Sequence, residues 1–251
     1  LPALKTCKAN YHEIWILYTT VLIPSICFSM PANTLTIDQT AKLQDTYMPT
    51  LLTRAGIGQG YPEAVIYGDK RFQGHNFYHL KALHISARIK YMIKHLRARD
   101  YIGKTARSMI NWAQQAAGIS KPILMTHELI TYLEGKWINQ LRNDLCQINS
   151  KVYITDVWTH PTVREHDTHI MDHINEHVTS DTLKRKINYC RLYLRVTHVS
   201  DITTSDGKKL HPDVTENPAK LKNQTHTLNW PEQGCPDKTT WNIWSSTLKR
   251  I

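Results

Sequence analysis

The stretch REHDTHIMDHINEH, residues 164–177, concentrates histidines and acids that could bind a metal ion. His169, His173 and His177 recur every four residues, and this spacing would place them in one row along an α-helix. Three neutral imidazoles could coordinate zinc. The three histidines are therefore the metal-ligand candidates of this sequence.

The same stretch also has the pattern of a plain amphipathic helix. Ile170, Ile174 and Val178 each follow one of the histidines, as expected when polar residues flank a buried apolar row. The spacing is not the H-E-x-x-H of metalloproteases, and a metal site normally draws its ligands from more than one element. We therefore predict a structural helix here and no functional metal site.

A second candidate is the basic stretch KALHISARIKYMIKHLRARDYIGKTARS, residues 81–108, in which Asp100 is the one acid. A helical face that carries cations and hardly any acid can contact the phosphate backbone of a nucleic acid. Such contacts are independent of base sequence and weaken with salt. The candidate residues for this contact are Lys81, Arg88, Lys90, Lys94, Arg97, Arg99, Lys104 and Arg107. The alternatives are a solvated helix face and a surface that binds anionic lipid or acidic protein.

Helical phasing predicts how this basic helix is oriented. One arc is apolar and is predicted to pack on the core; it contains Ala82, Ile85, Ile89, Met92, Ile93 and Leu96. The opposite side is predicted to be polar and solvent-facing; we assign to it Arg88, Lys90, Lys94 and Arg97 together with His84, Tyr91 and His95.

Composition supports an acidic partner for a globular chain. The 251 residues are 41% hydrophobic, enough for a core, and the formal net charge is +10. Nucleic acid is the commonest partner of so basic a chain, and an anionic membrane surface is the rival. The five cysteines are odd in number and widely spaced, which argues against a disulfide framework and favours a reducing compartment, the cytoplasm or the nucleus.

Motifs for other enzyme classes are missing from the sequence. It contains no phosphate-binding G-x-x-x-x-G-K-[ST] loop, no G-x-S-x-G nucleophile elbow and no G-x-G-x-x-G dinucleotide motif. The glycines of GIGQG, residues 56–60, have the wrong spacing and indicate a turn. Residues 14–37 are uncharged, but Pro24, Pro31 and several hydroxyls interrupt them, so we predict a buried helix and no membrane partner.

The periodicity predicts a mainly α fold, with a helical bundle and a short extended segment followed by a less regular α+β C-terminal part. Ser150/Lys151 is a predicted domain boundary, SKVYITDVW (150–158) is a strand candidate, and Ala64–Tyr67 is the extended segment. The helices are predicted at 11–29, from Thr36 or Asp38 to Gly56, and at 76–98, 104–117, 126–148, 167–178 and 182–195.

Several stretches, in order, resemble the region downstream of the polymerase palm in non-LTR (LINE-like) retrotransposon reverse transcriptases. The segment YTTVLIPSICFSMPANTLTIDQTAKLQDTYMPTLLTRAGIGQGYPEAVIYG is similar to the beginning of the thumb. KRFQGHNFYHLKALHISARIKYMIKHLRARDYIGK resembles the following glycine-bearing turn and basic helix, although Gly74-His75 stands where the family has paired glycines. NWAQQAAGISKPIL, WINQLRNDL, INYCRLYLRVTHVSDITTSDGKKL and WPEQGCPDKTTWNIW resemble segments further downstream.

The resemblance implies a thumb-like region at 1–150 and a downstream C-terminal region at 151–251. It implies that the basic helix lies along an RNA or DNA template-primer duplex. The family holds its catalytic Mg²⁺ with palm aspartates, including a Tyr-x-Asp-Asp turn. Adjacent aspartates do not occur in this sequence, so no catalytic residue is carried over and no cofactor is expected in this chain. Because the sequence begins at Leu1, we interpret it as a fragment of a longer reading frame.

Two other classes of function are open. One is a His/Asp metal-dependent hydrolase built on residues 160–177. The other is a basic helical adaptor that binds protein or anionic lipid. A hydrolase would need metal ligands that converge on one ion. An adaptor would use the cations of the basic helix to bind protein or anionic lipid and would show no specificity for nucleic acid.

Overall fold

The structure is a computed structural model, and it describes residues 8–58, 60–133, 136–155, 162, 164–216, 230 and 233–250. The described residues form a mainly helical fold, as the sequence periodicity predicted. Within these ranges β-structure is limited to two isolated antiparallel bridges, His169–His198 and Thr203–Leu210. None of the helices in the described ranges has the length and apolarity needed to cross a bilayer.

The chain divides into two compact units, Leu1–Lys104 and Thr105–Ile251. The boundary that we predicted at Ser150/Lys151 therefore lies inside the second unit. The reason is a long-range contact: the buried guanidinium of Arg191 donates to the carbonyl of Ala116, at 2.8 Å, and joins residues before position 150 to residues after it. The assignment of 1–150 as thumb-like and 151–251 as downstream stays a prediction.

The first unit is a set of helices together with the first turn of a helix that continues into the second unit. Its elements are α1 (Tyr11–Leu17), a π-helical turn (Tyr18–Leu22), α2 (Ile23–Cys27), α3 (Ile37–Arg54), α4 (Glu63–Tyr67), a 3₁₀ turn (Lys70–Phe72) and α5 (Leu80–Ala98). Helix α6 (Tyr101–Ala117) begins in this unit and continues into the second.

The predicted helix over 11–29 forms with a π-helical turn in its middle. Pro24 has no backbone N–H and cannot make the bond that would close a regular α turn. The buried residues of this segment are Ile14, Tyr18 and Ile23, spaced four and then five residues apart. The wider turn thus brings Ile23 to the same core as Tyr18.

Capping residues set the bounds of α3. The Thr36 hydroxyl accepts from the N–H of Gln39, and the Gln39 side chain accepts from the N–H of Thr36, which is a capping box. Gly56 follows the C-terminal end with a φ of 75°. Both limits agree with the sequence prediction.

The extended segment predicted at Ala64–Tyr67 is wrong, because these residues lie in helix α4. Pro62 sets the first turn, and its carbonyl accepts from the N–H groups of Val65 and Ile66. Ile66 is buried in the core of the first unit. A short apolar run of this kind fits a strand or a helix equally well by periodicity.

The second unit contains the remaining helices. Its elements after α6 are α7 (Lys136–Gln147), α8 (Ile170–His177), α9 (Asp181–Leu194), a 3₁₀ turn (Val199–Asp201), α10 (Pro212–Thr215) and α11 (Lys238–Leu248). Within the range 126–148, where we predicted one helix, the structure has a shorter helix that runs from Lys136 to Gln147. Of the strand candidate, residues 151–154 form no strand and residues 156–158 lie outside the described residues.

Buried arginines hold the backbone of the second unit together. Arg191 donates to the carbonyls of Gln115, Ala116 and Val196, and Arg142 donates to the carbonyl of Ile123. Burial lowers the pKa of Arg191 to about 10, so the group remains charged at neutral pH. These guanidinium groups satisfy buried carbonyl oxygens, and the Ala116 carbonyl also accepts from Nδ2 of Asn188 at 3.1 Å.

Helix α11 was not predicted from the sequence. The Asp237 carboxylate accepts from the N–H of Thr240 and caps its first turn. The indoles of Trp241 and Trp244 face inwards and donate to the carbonyls of Thr215 and Val214. This part of the chain is therefore a packed helix and not the irregular tail we expected.

Candidate nucleic-acid interface

Helix α5 is anchored in the first unit at its N-terminal end. The Gln44 side chain accepts from the N–H of Leu80 at 2.6 Å and donates to the hydroxyl of Tyr67 at 2.7 Å. The Tyr18 hydroxyl donates to the carbonyl of Tyr78 and accepts from its N–H. Burial of this phenol raises the pKa of Tyr18. The helix is thus held by buried polar contacts as well as by apolar packing.

The buried side of α5 differs from the predicted apolar arc. Its buried residues are Leu80, His84, Ile85, Arg88 and Met92. The prediction that His84 and Arg88 lie on the solvent-facing side is therefore wrong. At 100° per residue Arg88 lies about 160° from Lys90, in the same arc as Met92.

Arg88 is fully buried, so the prediction that it binds nucleic acid is wrong. Its Nη2 donates to the carbonyls of Asn33 and Leu35, each at 3.3 Å, and lies 2.7 Å from Nε2 of His84. These carbonyls belong to the segment between α2 and α3. Arg88 therefore holds that segment against α5 and does not reach a surface phosphate.

The contacts of His84 assign its tautomer. Arg88 has only donors, so Nε2 of His84 accepts. The Thr40 hydroxyl donates its one proton to the carbonyl of Thr36. In its 3.1 Å contact with Nδ1 of His84 the hydroxyl oxygen therefore accepts, and Nδ1 is the donor. Burial and the neighbouring Arg88 lower the pKa of His84 to about 4. This histidine is neutral at physiological pH.

Three cations occupy the exposed face of α5. Lys90, Lys94 and Arg97 are all exposed and follow one another at helical spacing, over about 10 Å along the helix axis. We call these three residues the α5 basic face. Within the described ranges no ion pair reaches Lys90 or Arg97.

Two further candidates lie at the corner between α5 and α6. Arg99 ends α5 in the left-handed conformation with a φ of 52°, and it is exposed, as is Lys104. A Cβ on Gly103 would lie 2.0 Å from the carbonyl oxygen of His95, so the corner needs glycine there. The first turn of α6 therefore packs closely on the last turn of α5.

The acid of this corner is engaged by its neighbours. Asp100 accepts from the N–H of Gly103 at 2.7 Å, and its other oxygen lies 2.6 Å from Nδ1 of His95. The Gly103 N–H and His95 lower the pKa of Asp100, with a smaller contribution from Lys94. The carboxylate is thus directed to its own corner.

The two remaining candidates, Lys81 and Arg107, are half-buried. Lys81 is half-buried in the first turn of α5 and points to the other side of the helix. Arg107 is half-buried and belongs to the second unit. Five of the eight predicted cations are exposed residues of the first unit, namely Lys90, Lys94, Arg97, Arg99 and Lys104.

The three histidines of the predicted metal row take different roles. His169 precedes α8 in an extended conformation, and its ring packs edge-on against that of His198 with centroids 4.4 Å apart. Nε2 of His173 lies 2.9 Å from the Thr168 hydroxyl. His177 is exposed in the last turn. Among the described residues, no group of three or more His, Cys, Asp or Glu side chains could hold a metal ion.

Sequence reasoning missed the structural role of His84 and Arg88. A signal was available: Arg88 follows Ile85 by three positions and precedes Met92 by four, so helical phasing groups it with two buried residues. The predicted arcs placed Arg88 on the polar side, although it lies only about 40° from Met92 around the helix.

Comparison with known proteins found no relative of this chain. No family model, no curated protein and no solved structure matches this chain.

Proposed function

We propose that this chain binds the phosphate backbone of nucleic acid through the α5 basic face, with Arg99 and Lys104 extending the contact. The observation that carries the proposal is the arrangement of Lys90, Lys94 and Arg97, which share one exposed helical face without an acid among them. A solvated face more often mixes both signs of charge. The chain as a whole has a formal net charge of +10, which favours a polyanionic partner.

The anchoring of α5 suits this function. Its buried side contacts the core, and its N-terminal end is held by Gln44. The backbone that carries the cations is therefore ordered before a ligand arrives, and binding does not have to order it. Lysine and arginine side chains that neutralise phosphates release counterions, which gives affinity without base readout.

We further propose that the chain is a non-catalytic, thumb-like and downstream part of a non-LTR retrotransposon reverse transcriptase. The support is the order of the resembling segments along the sequence, with the basic helix inside the second of them. In this proposal the nucleic acid is an RNA or DNA template-primer duplex, and the metal-dependent chemistry belongs to a palm outside this chain. The purified chain should then extend no primer with Mg²⁺ or Mn²⁺.

The decisive experiment removes the α5 basic face. In the triple variant Lys90→Ala, Lys94→Ala, Arg97→Ala, we expect weaker binding to an RNA–DNA heteroduplex and to a DNA duplex of any sequence. Each phosphate contact contributes about 0.9 to the slope of log affinity against log salt on B-form DNA, so the slope should flatten by roughly 2.7. Fluorescence anisotropy at several salt concentrations measures both quantities.

A matched control removes the same charge elsewhere. Lys42, Lys121 and Lys151 are exposed, and their triple alanine variant should keep most of the affinity and the slope. If both variants lose binding equally, only the net charge matters and the proposed interface is wrong. Duplex affinity that survives loss of the α5 basic face would also show that the proposed interface is wrong. A loss confined to phosphatidylserine vesicles supports the lipid-binding adaptor instead.

A further inference from the structure

A pocket of ≈ 390 Å³ opens in the second unit between α8 and the turn at residues 203–210. One side is apolar and includes Ile170, Ile174 and Ile202, all of which are buried. The volume lies within the range of small-molecule sites, roughly 300–1,000 Å³. The α5 basic face contributes no residue to this cavity, and His173 is the member of the histidine row that lines it.

The other side of the pocket is polar and cationic. Lys208 and Lys209 line it and are exposed, so they stand at its opening. His173 and Thr168 also line it, and their contact of 2.9 Å fixes the orientation of the imidazole. The pocket therefore has an apolar floor and a rim of donors.

The turn that carries the lysines has a defined shape. The N–H of Thr204 donates to the carbonyl of Lys209 at 2.8 Å, and Gly207 has a φ of 71°. Arg164 braces the turn by donating to the Thr203 hydroxyl at 3.2 Å and to the Thr204 carbonyl at 2.7 Å. The lysines are thus attached to an ordered backbone.

The acid of this turn does not neutralise the rim. The Asp206 carboxylate accepts from the Thr204 hydroxyl at 2.5 Å and from the N–H of Lys208 at 3.1 Å. These two donors lower the pKa of Asp206. Its lone pairs are directed to the turn itself, and within the described ranges no ion pair joins it to Lys208 or Lys209.

We propose that this pocket binds a small amphipathic anion, an apolar body that carries a single anionic group such as a carboxylate, sulfonate or phosphate. The apolar body lies against Val199 and Leu210, the apolar lining residues that are half-buried and not fully buried. The anionic group lies at the rim, where Lys208 and Lys209 supply charge and Thr168 or His173 supplies a hydrogen bond. The proposal concerns the second unit and is independent of nucleic-acid binding by α5.

A matched pair of dyes tests both halves of the proposal on the full chain. Anilinonaphthalene sulfonate has the apolar body and an anion, whereas N-phenylnaphthylamine has nearly the same body without the anion. Both fluoresce more strongly when they leave water, so their affinities can be titrated directly. We expect the sulfonate to bind more tightly than the neutral dye.

Three variants locate the site. Lys208→Ala/Lys209→Ala should weaken the sulfonate by roughly 2-fold to 30-fold, given two exposed charge contacts, and leave the neutral dye unchanged. Lys90→Ala/Lys94→Ala removes the same charge from α5 and should change neither dye. Val199 is half-buried and lines the pocket, so Val199→Trp should fill the cavity and weaken both dyes.

The results that overturn the proposal are distinct. Sulfonate affinity that is unchanged in Lys208→Ala/Lys209→Ala removes the anion subsite. An equal loss of sulfonate affinity in Lys90→Ala/Lys94→Ala would show that the lysines act only through the net charge of the chain. Unchanged binding of both dyes in a folded Val199→Trp variant, with circular dichroism as the check on folding, places the dyes elsewhere.

Discussion

Nη2 of Arg88 lies 2.7 Å from Nε2 of His84, so two basic side chains one helical turn apart share a hydrogen bond inside the first unit. The bond exists only while the imidazole is neutral, because a protonated ring has no acceptor to offer the guanidinium. The Thr40 hydroxyl occupies the other ring nitrogen at 3.1 Å. The core of this unit therefore contains a histidine that cannot gain a proton without losing a contact.

We predict that the protein loses stability in mild acid. Burial and Arg88 hold the pKa of His84 at about 4 in the folded chain, against an ordinary value of 6.5. The unfolded chain thus takes up the proton first, and the free energy of unfolding should fall as the pH decreases from about 6.5 to about 4. The loss from this group between pH 7 and pH 5 should be about 2 kcal/mol.

Urea denaturation at several pH values measures this effect, and two variants isolate it. In His84→Gln the amide oxygen can still accept from Arg88 but does not titrate, so the pH dependence should be smaller by this amount. His177→Gln replaces an exposed histidine and should keep the full dependence. Identical pH profiles for the wild type and His84→Gln contradict the assignment.

A second prediction separates Arg88 from Lys90, two residues apart on α5. Arg88→Met leaves the part-buried carbonyls of Asn33 and Leu35 without this donor and should cost at most about 3 kcal/mol for each oxygen left unsatisfied. Lys90→Met should change the free energy of unfolding by no more than about 0.5 kcal/mol.

Duplex binding should show the opposite order for these two variants. Lys90→Met should weaken binding, whereas Arg88→Met should not, at temperatures where the variant is folded. Chemical denaturation and fluorescence anisotropy on the same preparations give both numbers. If duplex affinity falls more in Arg88→Met than in Lys90→Met, Arg88 contacts the nucleic acid and the prediction is wrong.

A third prediction concerns the close approach of Gly118 to Arg191. Gly118 has a φ of 63°, and an added Cβ would lie 2.5 Å from Cζ of Arg191. Gly56 has a φ of 75° and open space around its Cβ position. Alanine at either site should cost about 1–2 kcal/mol for the left-handed backbone, and at Gly118 the contact with the guanidinium should add to this.

The comparison of these two variants isolates the steric contact, because the backbone cost is common to both. Urea unfolding followed by circular dichroism gives the two free energies. Equal destabilisation by Gly56→Ala and Gly118→Ala would mean that Arg191 moves aside freely, which its four buried hydrogen bonds argue against.

A fourth prediction is that the histidine row binds zinc only weakly. The His169 ring packs on His198, and Nε2 of His173 is engaged by Thr168, so the rings do not share a focus. Competition with a zinc-binding indicator at neutral pH should give no tight stoichiometric binding. Tight binding that disappears in His169→Ala/His173→Ala is the contrary result.

Local signals in the sequence predicted the helices and several of their ends. The capping box of Thr36 and Gln39 and the glycines at 56 and 118 act within a few residues, so they can be read directly. The same holds for the exposure of Lys90, Lys94 and Arg97, which share one helical face.

Contacts between distant residues could not be predicted in this way. The carbonyls that bind Arg88 lie more than 50 positions earlier in the sequence, and nothing near Arg88 identifies them. The pocket likewise requires α8, the 3₁₀ turn and the turn at 203–210 to come together. Helix α11 did have a local signal, Asp237 followed by two tryptophans at helical spacing, but the neighbouring turn residues concealed it.

The π-helical turn at Tyr18–Leu22 gives this chain a place where its length can change without loss of the fold. Such a turn holds one more residue than the α-helical turn it replaces. Deletion of Thr20, which is exposed, would bring Ile23 to four positions after Tyr18, but it would also place Pro24 in a regular α turn whose hydrogen bond proline cannot make. Homologous chains with a single-residue gap here should therefore also have another residue in place of this proline.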